Sequence, residues 1–130
     1  MSAPAARPLV LLVDDDPGLR SIVSEILGEE GYDTVDAADG REALAIALHR
    51  HIDLILLDLA MPEYSGEDFG REYRDRGGRA PIILMTASRP GHATTATETS
   101  GAVALIRKPF DIDELLRVVA TAVGRSSRGA

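Results

Sequence analysis

The sequence predicts a doubly wound α/β domain, in which helices cover both faces of a parallel β-sheet. Short apolar runs of strand length alternate along the chain with segments that carry helical signals. The runs are continuous, which is typical of strands that are buried on both faces rather than on one. The five runs span residues 9–13, 34–37, 54–57, 82–85 and 103–106.

Apolar spacing and helix-start signals predict the helices between these runs. A stripe at helical spacing predicts a first helix that ends near Gly31. Its members are Leu19, Ile22, Val23, Ile26 and Leu27. Further helix starts are predicted from capping signals at Asp39, Ser65 and Asp111. Segment 91–100 is rich in threonine, a poor helix former, so we expect a short or frayed fourth helix there.

The length of 130 residues fits one folded unit, which we place at residues 9–123. The flanking segments, residues 1–8 and 124–130, have linker composition and are predicted to be mobile tails. The second tail is either a true end or the stub of a lost output domain. No export signal precedes the first apolar run, so we expect a cytoplasmic protein.

Composition excludes several classes of function. A net charge of −7 disfavours direct binding to nucleic acid, which depends mainly on clustered Lys and Arg. The absence of cysteine excludes thiolate metal sites, disulfides and a Cys nucleophile. No apolar stretch approaches the roughly 18 residues that a membrane-spanning helix needs, so membrane insertion is not expected.

Chemically active side chains follow the predicted strands at the points where the strands end. Asp14 and Asp15 come directly after the first run, and Asp58 ends the third. Thr86 ends the fourth run, and Lys108 comes just after the fifth. Because the carboxyl ends of parallel strands lie at one edge of a sheet, these side chains are predicted to share a single crevice.

The donor set in this crevice suits a phosphoryl group and a divalent cation. Clustered carboxylates repel one another unless a cation lies among them, and Mg²⁺ prefers oxygen ligands and shares its shell readily with phosphate. Asp58 stands alone on the central strand and is the natural acceptor, while Thr86 and Lys108 can hold phosphoryl oxygens. Asp16, before Pro17, is interpreted as a helix N-cap.

Four segments together resemble the receiver domains of response regulators in two-component and phosphorelay signalling. They are LVLLVDDDPGLR at residues 9–20, DLILLDLAMPEYSG at residues 53–66, MTA at residues 85–87 and KPF at residues 108–110. The resemblance spans nearly the whole chain. It implies a flavodoxin-like fold with five helices and a five-stranded parallel sheet in the order 2-1-3-4-5, acting as a stand-alone receiver or as one piece of a larger regulator.

The resemblance also implies roles around the metal. Asp58 would be the phosphoacceptor and a Mg²⁺ ligand, with Asp14 and Asp15 as the acidic pair and the Ala60 carbonyl as a further ligand. The phosphoryl donor would be a phosphohistidine on a sensor histidine kinase or a histidine phosphotransfer protein. The output would be a downstream protein target.

The resemblance further implies a switch. Thr86 and Lys108 would bind the phosphoryl oxygens, the Lys108–Pro109 peptide would be cis, and the face at residues 91–123 would carry the signal. The main departure is Leu105, because the family usually has Tyr or Phe three residues before this lysine. The readout is therefore expected to differ from the usual pairing of hydroxyl movement with an aromatic rotation.

Two alternatives stay open at this point. The Asp14-x-Asp16 pair also fits a haloacid-dehalogenase-like phosphatase, although Gly18 stands where that class has Thr or Val and the chain is short for its substrate cap. The other alternative is a pseudo-receiver that binds a partner without phosphorylation, which Leu105 and the threonine-rich segment 91–100 leave possible.

Overall fold

The structure, a computed structural model, describes residues 7–59, 61, 64–87 and 101–128, with side chains described as far as residue 124. Its five strands form one parallel sheet in the order β2-β1-β3-β4-β5, which confirms the predicted order. The strands are β1 (Leu9–Val13), β2 (Asp33–Ala37), β3 (Leu54–Asp58), β4 (Ile82–Thr86) and β5 (Ala104–Arg107).

Four helices lie within the described residues. They are α1 (Pro17–Glu29), α2 (Gly40–His49), α3 (Gly66–Asp75) and α4 (Ile112–Arg128). The expected short helix at residues 91–100 and the expected metal ligand Ala60 lie outside the described residues. None of the described helices is both long enough and apolar enough to cross a bilayer.

The sheet separates two apolar cores, because successive side chains along each strand point to opposite faces. On one face the odd-numbered residues of β1 pack with α2 and α3, through side chains such as Ala43 and Phe69. On the other face the even-numbered residues pack with α1 and α4, through side chains such as Leu27 and Val119. All residues of β3 and β4 are buried, which explains their continuous apolar sequences.

Side-chain caps begin every described helix where the sequence predicts them. The carboxylate of Asp16 accepts hydrogen bonds from the backbone N–H groups of Gly18 and Leu19, with Pro17 in the first helical turn. Asp39, Ser65 and Asp111 each accept a hydrogen bond from the backbone N–H three residues later. These caps satisfy donors that a helix start leaves without partners.

The structure differs from the sequence predictions at Ile22 and at the end of the last helix. Ile22, predicted to lie in the buried stripe of α1, is 57% exposed because it lies at the outer edge of that stripe, beyond the reach of the sheet. The last helix continues to Arg128, past the predicted limit at Val123. Each added residue contributes one backbone hydrogen bond to a helix that is already nucleated, and Arg and Ser lower helix stability only a little.

The amino end of the domain is anchored at residues 7 and 8. The Arg7 guanidinium donates to the carbonyl oxygens of Gly28, Gly31 and Tyr32 at the end of α1. The Pro8 carbonyl accepts from the backbone N–H of Asp33. Residues 7 and 8 are therefore held against the domain. Residues 1–6 lie outside the described residues, and the mobility of residues 1–6 and 124–130 stays a prediction.

Candidate functional site

Three polar side chains are buried at the carboxyl edge of the sheet. Asp14 follows β1 and is 2% exposed, Asp58 ends β3 and is 6% exposed, and Thr86 ends β4 and is fully covered. They are the buried polar or charged residues of the part of the chain that the structure describes. Burial of carboxylates requires compensating partners, so their presence at one edge marks this edge as a candidate site.

Asp14 is held at four of its atoms. Its backbone N–H donates to the Ala37 carbonyl oxygen over 3.2 Å, and its own carbonyl oxygen accepts from the Arg20 guanidinium. Its carboxylate Oδ1 accepts from the backbone N–H of Asp16 at 2.9 Å, and Oδ2 accepts from Lys108 Nζ at 2.9 Å. This acid is therefore fixed in position before any ligand binds.

Asp14, Asp15 and Asp58 form one cluster of carboxylates. Each contributes an oxygen, and these oxygens all lie within 4.8 Å of one another. Asp15 is exposed, whereas the other two are buried, so the cluster opens to solvent on the Asp15 side. An oxygen-only donor set with one solvent-facing side fits Mg²⁺, which is usually held by one or two carboxylates and retains several waters.

Lys108 bridges the two buried acids. Its ammonium lies 2.9 Å from Asp14 Oδ2 and 3.6 Å from Asp58 Oδ1, and its side chain is 23% exposed. Burial alone would lower the pKa of Lys108, but the hydrogen bond to Asp14 and the negative charges of Asp58 and Asp14 raise it above its ordinary value. The ammonium therefore stays charged across the physiological pH range.

The remaining predicted site residues lie on β4 and β5. The backbone N–H of Lys108 donates to the Thr86 carbonyl oxygen over 2.8 Å, which joins the two strand ends. The Lys108–Pro109 peptide is cis, as the resemblance implies. Leu105, opposite Leu84 in the sheet, is partly buried and packs against the core on the α2 and α3 side.

Asp16 does not join the carboxylate cluster of the described residues. Its Oδ1 is occupied by two backbone N–H groups at the start of α1. The phosphatase alternative needs both acids of the Asp14-x-Asp16 pair for chemistry, so the capping role of Asp16 argues against it.

Arg20 and Asp36 are not among the site residues that the sequence predicts. Arg20 lies in the second turn of α1, donates through Nη1 to the Asp14 carbonyl, and places Nε 3.4 Å from Asp36 Oδ2. A charged residue four positions after the capping Asp16, beside the apolar stripe of a helix, is the signal that could have pointed to Arg20. Its partners depend on how β1 pairs with β2, which local sequence does not show.

Comparisons with known proteins agree with this geometry. A family model described as the response regulator receiver domain matches residues 10–120. Sporulation initiation phosphotransferase F of Bacillus subtilis (strain 168) is 35% identical over 106 residues, which cover 82% of this chain and 86% of that protein. Three other curated relatives are longer, and the chain spans 25% to 51% of their lengths.

Solved structures with the same fold include two receiver-type proteins. The chemotaxis protein CheY4 of Vibrio cholerae is 33% identical, with a TM-score of 0.83 over 90% of this chain and 99% of that one. The receiver domain of sensor histidine kinase PA1611 from Pseudomonas aeruginosa PAO1 is 30% identical, with a TM-score of 0.84 over 92% and 99% of the two chains. That structure has a magnesium ion coordinated in its active site cleft.

Proposed function

Because the chain belongs to the response regulator receiver domain family, whose members are phosphorylation-dependent signalling switches, we propose that its phosphoacceptor is the carboxylate of Asp58. One observation carries the assignment. The Asp58 carboxylate ends the central strand β3, within 4.8 Å of the oxygens of two other acids and 3.6 Å from the Lys108 ammonium. Asp58 therefore lies next to two acids that can bind a metal ion and to an ammonium that can bind phosphoryl oxygens.

The metal in this proposal is Mg²⁺, held by Asp14, Asp15 and Asp58, with the Ala60 carbonyl as a further ligand by family resemblance. The oxygen donors of the three acids support this choice. When bound, the ion neutralises the negative charge that develops on the phosphoryl oxygens.

In the proposed reaction an Asp58 carboxylate oxygen forms a bond to phosphorus while the phosphorus–nitrogen bond of a phosphohistidine breaks. The imidazole leaves with the electron pair of that bond. Lys108 already lies between Asp14 and Asp58, so its positive charge is close to the point where the phosphoryl group arrives. The donor is a sensor histidine kinase or a histidine phosphotransfer protein, and the chain catalyses only its own phosphorylation and dephosphorylation.

The output of the switch follows from the added charge. A phosphoryl group brings more negative charge and more acceptor oxygens than the carboxylate it modifies, which draws Thr86 and Lys108 inward. Leu105, which is partly buried against the core, stands where the family usually has an aromatic residue. The readout is then either a smaller aliphatic adjustment or a change in the threonine-rich segment 91–100. The altered face at residues 91–123 then changes the affinity for a downstream protein.

Intact mass spectrometry after incubation with Mg²⁺ and acetyl phosphate tests the acceptor. Wild type is expected to gain one phosphoryl group that is stable in acid and labile in base, while Asp58→Asn gains none. Asp53→Asn is a matched control, because it removes the same charge at the opposite edge of the sheet and should be labelled like wild type. Equal labelling of wild type and Asp58→Asn would move the acceptor elsewhere.

The labelling result, together with measurements of Mg²⁺ binding, of the response to beryllofluoride and of phosphate ester turnover, separates the two alternatives. Mg²⁺ binding with no labelling of wild type, and no response to beryllofluoride, would favour a module that is not controlled by phosphorylation. Continuous turnover of a phosphate ester with labelling at Asp14 would favour the phosphatase alternative.

A further inference from the structure

Arg20 is a covered arginine beside the acidic cluster. Its side chain is only 15% exposed, although it lies on a surface helix. Through Nη1 it donates to the carbonyl oxygen of Asp14, and its Nε lies 3.4 Å from Asp36 Oδ2. The Nε is buried and makes no directed hydrogen bond within the described residues, so Asp36 acts on it through charge.

The bond to Asp14 fixes more than one residue. The Asp14 carbonyl belongs to the peptide unit that joins Asp14 to Asp15, and a peptide unit is planar. Holding its oxygen therefore sets the direction in which the chain leaves towards Asp15. The backbone N–H of Asp14 is bonded to Ala37, so this part of the chain is fixed on both sides.

Asp36 ties this turn to the neighbouring strand. It lies on β2, opposite Leu12 of β1, and its side chain is 47% exposed. The guanidinium of Arg20 thus joins α1, the end of β1 and the end of β2. The guanidinium approaches these two acceptors through two different nitrogen atoms held in one rigid plane, whereas a lysine offers a single nitrogen atom.

We propose that Arg20 is a positioning residue of the metal site, which holds the Asp14–Asp15 peptide so that both carboxylates face Asp58. This inference rests on the proposed function, because it assumes that these three acids bind Mg²⁺. Asp15 gives it particular weight: its side chain is exposed, so its orientation depends on the backbone rather than on surrounding side chains.

A positioning role and a purely structural role predict different metal selectivity. Mg²⁺ demands nearly ideal octahedral geometry, whereas Ca²⁺ tolerates irregular ligand arrangements. A displaced Asp15 should therefore weaken Mg²⁺ binding more than Ca²⁺ binding. General loosening of the fold would lower the free energy of unfolding without such a preference.

The test is calorimetric titration of each ion into wild type, Arg20→Met, Arg20→Lys and Asp36→Asn. Arg71→Met is the control, because Arg71 also pairs with one acid, Asp68, but lies on α3 with its side chain 58% exposed. The free energy of unfolding without metal is measured in urea for every variant, which separates folding from metal binding.

We expect Arg20→Met to weaken Mg²⁺ binding by about tenfold, in the range seen when residues supporting metal ligands are removed, and Ca²⁺ binding by less. Arg20→Lys should fall between wild type and Arg20→Met, and Asp36→Asn should have a smaller effect because the bond to Asp14 remains. Arg71→Met should bind Mg²⁺ like wild type.

Unchanged Mg²⁺ affinity in folded Arg20→Met would overturn the inference and leave the proposed function standing. Equal losses for the two ions would also overturn it. If Arg20→Met does not fold, the same criteria apply to Arg20→Lys. Failure of wild type itself to bind Mg²⁺ would overturn both the inference and the proposed metal site.

Discussion

The two edges of the sheet use the same kind of residue in opposite ways. At the amino edge, before β3, Asp53 Oδ2 accepts from the backbone N–H of Leu9 at 2.8 Å, and Oδ1 lies 2.9 Å from His51 Nε2. At the carboxyl edge, three carboxylates form one cluster, and the ammonium of Lys108 lies close to two of them, Asp14 and Asp58. At the amino edge the carboxylate of Asp53 has hydrogen-bond partners close by. At the carboxyl edge three carboxylates outnumber the one ammonium that the described residues place beside them, so negative charge remains in excess there.

This difference separates structure from function. Asp53 is a single carboxylate whose two oxygens have nearby partners, so it stabilises the fold without bringing like charges together. A group of carboxylates with one ammonium is stable only because the fold enforces it, and it gains free energy when a cation or a charge-neutralising reaction arrives. Matched substitutions at the two edges should therefore change the free energy of unfolding by different amounts or in opposite directions.

The largest expected effect is on stability, at the amino edge. A Cβ at Gly78 would lie 2.2 Å from the Tyr73 ring, whose hydroxyl accepts from the backbone N–H of Ala80. Gly78→Ala must displace this ring and is expected to lower the free energy of unfolding by about 3 kcal/mol. Urea denaturation measures this loss, and Mg²⁺ affinity at the far edge should stay unchanged.

Gly66→Ala is the matching change at the carboxyl edge. Its Cβ would lie 3.2 Å from the Asp58 carbonyl oxygen and from Leu59 Cα, both backbone atoms next to the acceptor. We expect a smaller loss of about 1 kcal/mol, but with weaker Mg²⁺ binding because the backbone of a metal ligand moves. A smaller stability loss for Gly78→Ala than for Gly66→Ala would contradict the comparison.

Asp58→Asn and Asp53→Asn should change stability in opposite directions. Asp58→Asn removes one of three mutually repelling carboxylates and leaves Lys108 paired with Asp14, so without metal it should stabilise the protein by about 1 kcal/mol. Asp53→Asn weakens a charge-assisted bond to Leu9 and should cost about 0.5 to 1 kcal/mol. Urea denaturation in the presence of a chelator measures both values.

Adding Mg²⁺ provides the control for this pair. A ligand that binds only the folded state stabilises it by mass action, so wild type and Asp53→Asn should gain equally. Asp58→Asn lacks one ligand and should gain less, which reduces or reverses its advantage. Destabilisation by Asp58→Asn without metal would show that its carboxylate is already balanced.

Much of the fold was predictable because its signals are local. Continuous apolar runs gave the strands, and Asp16, Asp39, Ser65 and Asp111 are caps whose hydrogen bonds lie within one helical turn. The convergence of Asp14, Asp15 and Asp58 followed from a rule about parallel sheets rather than from any local pattern.

The missed features depend on packing between elements. Helical spacing placed Ile22 in the apolar stripe of α1. Which side chains of this stripe are buried depends on how α1 packs against the sheet, and Ile22 is exposed. The bridge from Arg20 to Asp36 depends on the register of β1 with β2, which places Asp36 opposite Leu12. The last helix, α4, continues to Arg128 although residues 124–130 have linker composition. Such composition does not stop a helix that is already nucleated from adding further residues.

The smallest expected effect at neutral pH concerns a tyrosine near each edge. Tyr64, in the loop after β3, donates its hydroxyl proton to Glu72, and burial together with this bond raises the pKa of Tyr64 to about 12. Tyr32 lies before β2 at the amino edge, and burial and the charge of Glu30 also raise its pKa. Tyr64→Phe should cost about 0.5 to 1 kcal/mol at pH 7, the value of one hydrogen bond.

The alkaline range distinguishes the two tyrosines. Folded Tyr64 keeps its proton to a pH of about 12, whereas the unfolded chain loses it near the ordinary pKa of 10.0. The contribution of this proton to stability is therefore complete below pH 10 and is lost as the pH rises from 10 towards 12. Tyr64→Phe should flatten this part of the stability profile and remove the tyrosinate absorbance step near pH 12. Tyr32→Phe should retain that step, and its persistence in Tyr64→Phe would show that a group other than Tyr64 titrates near pH 12.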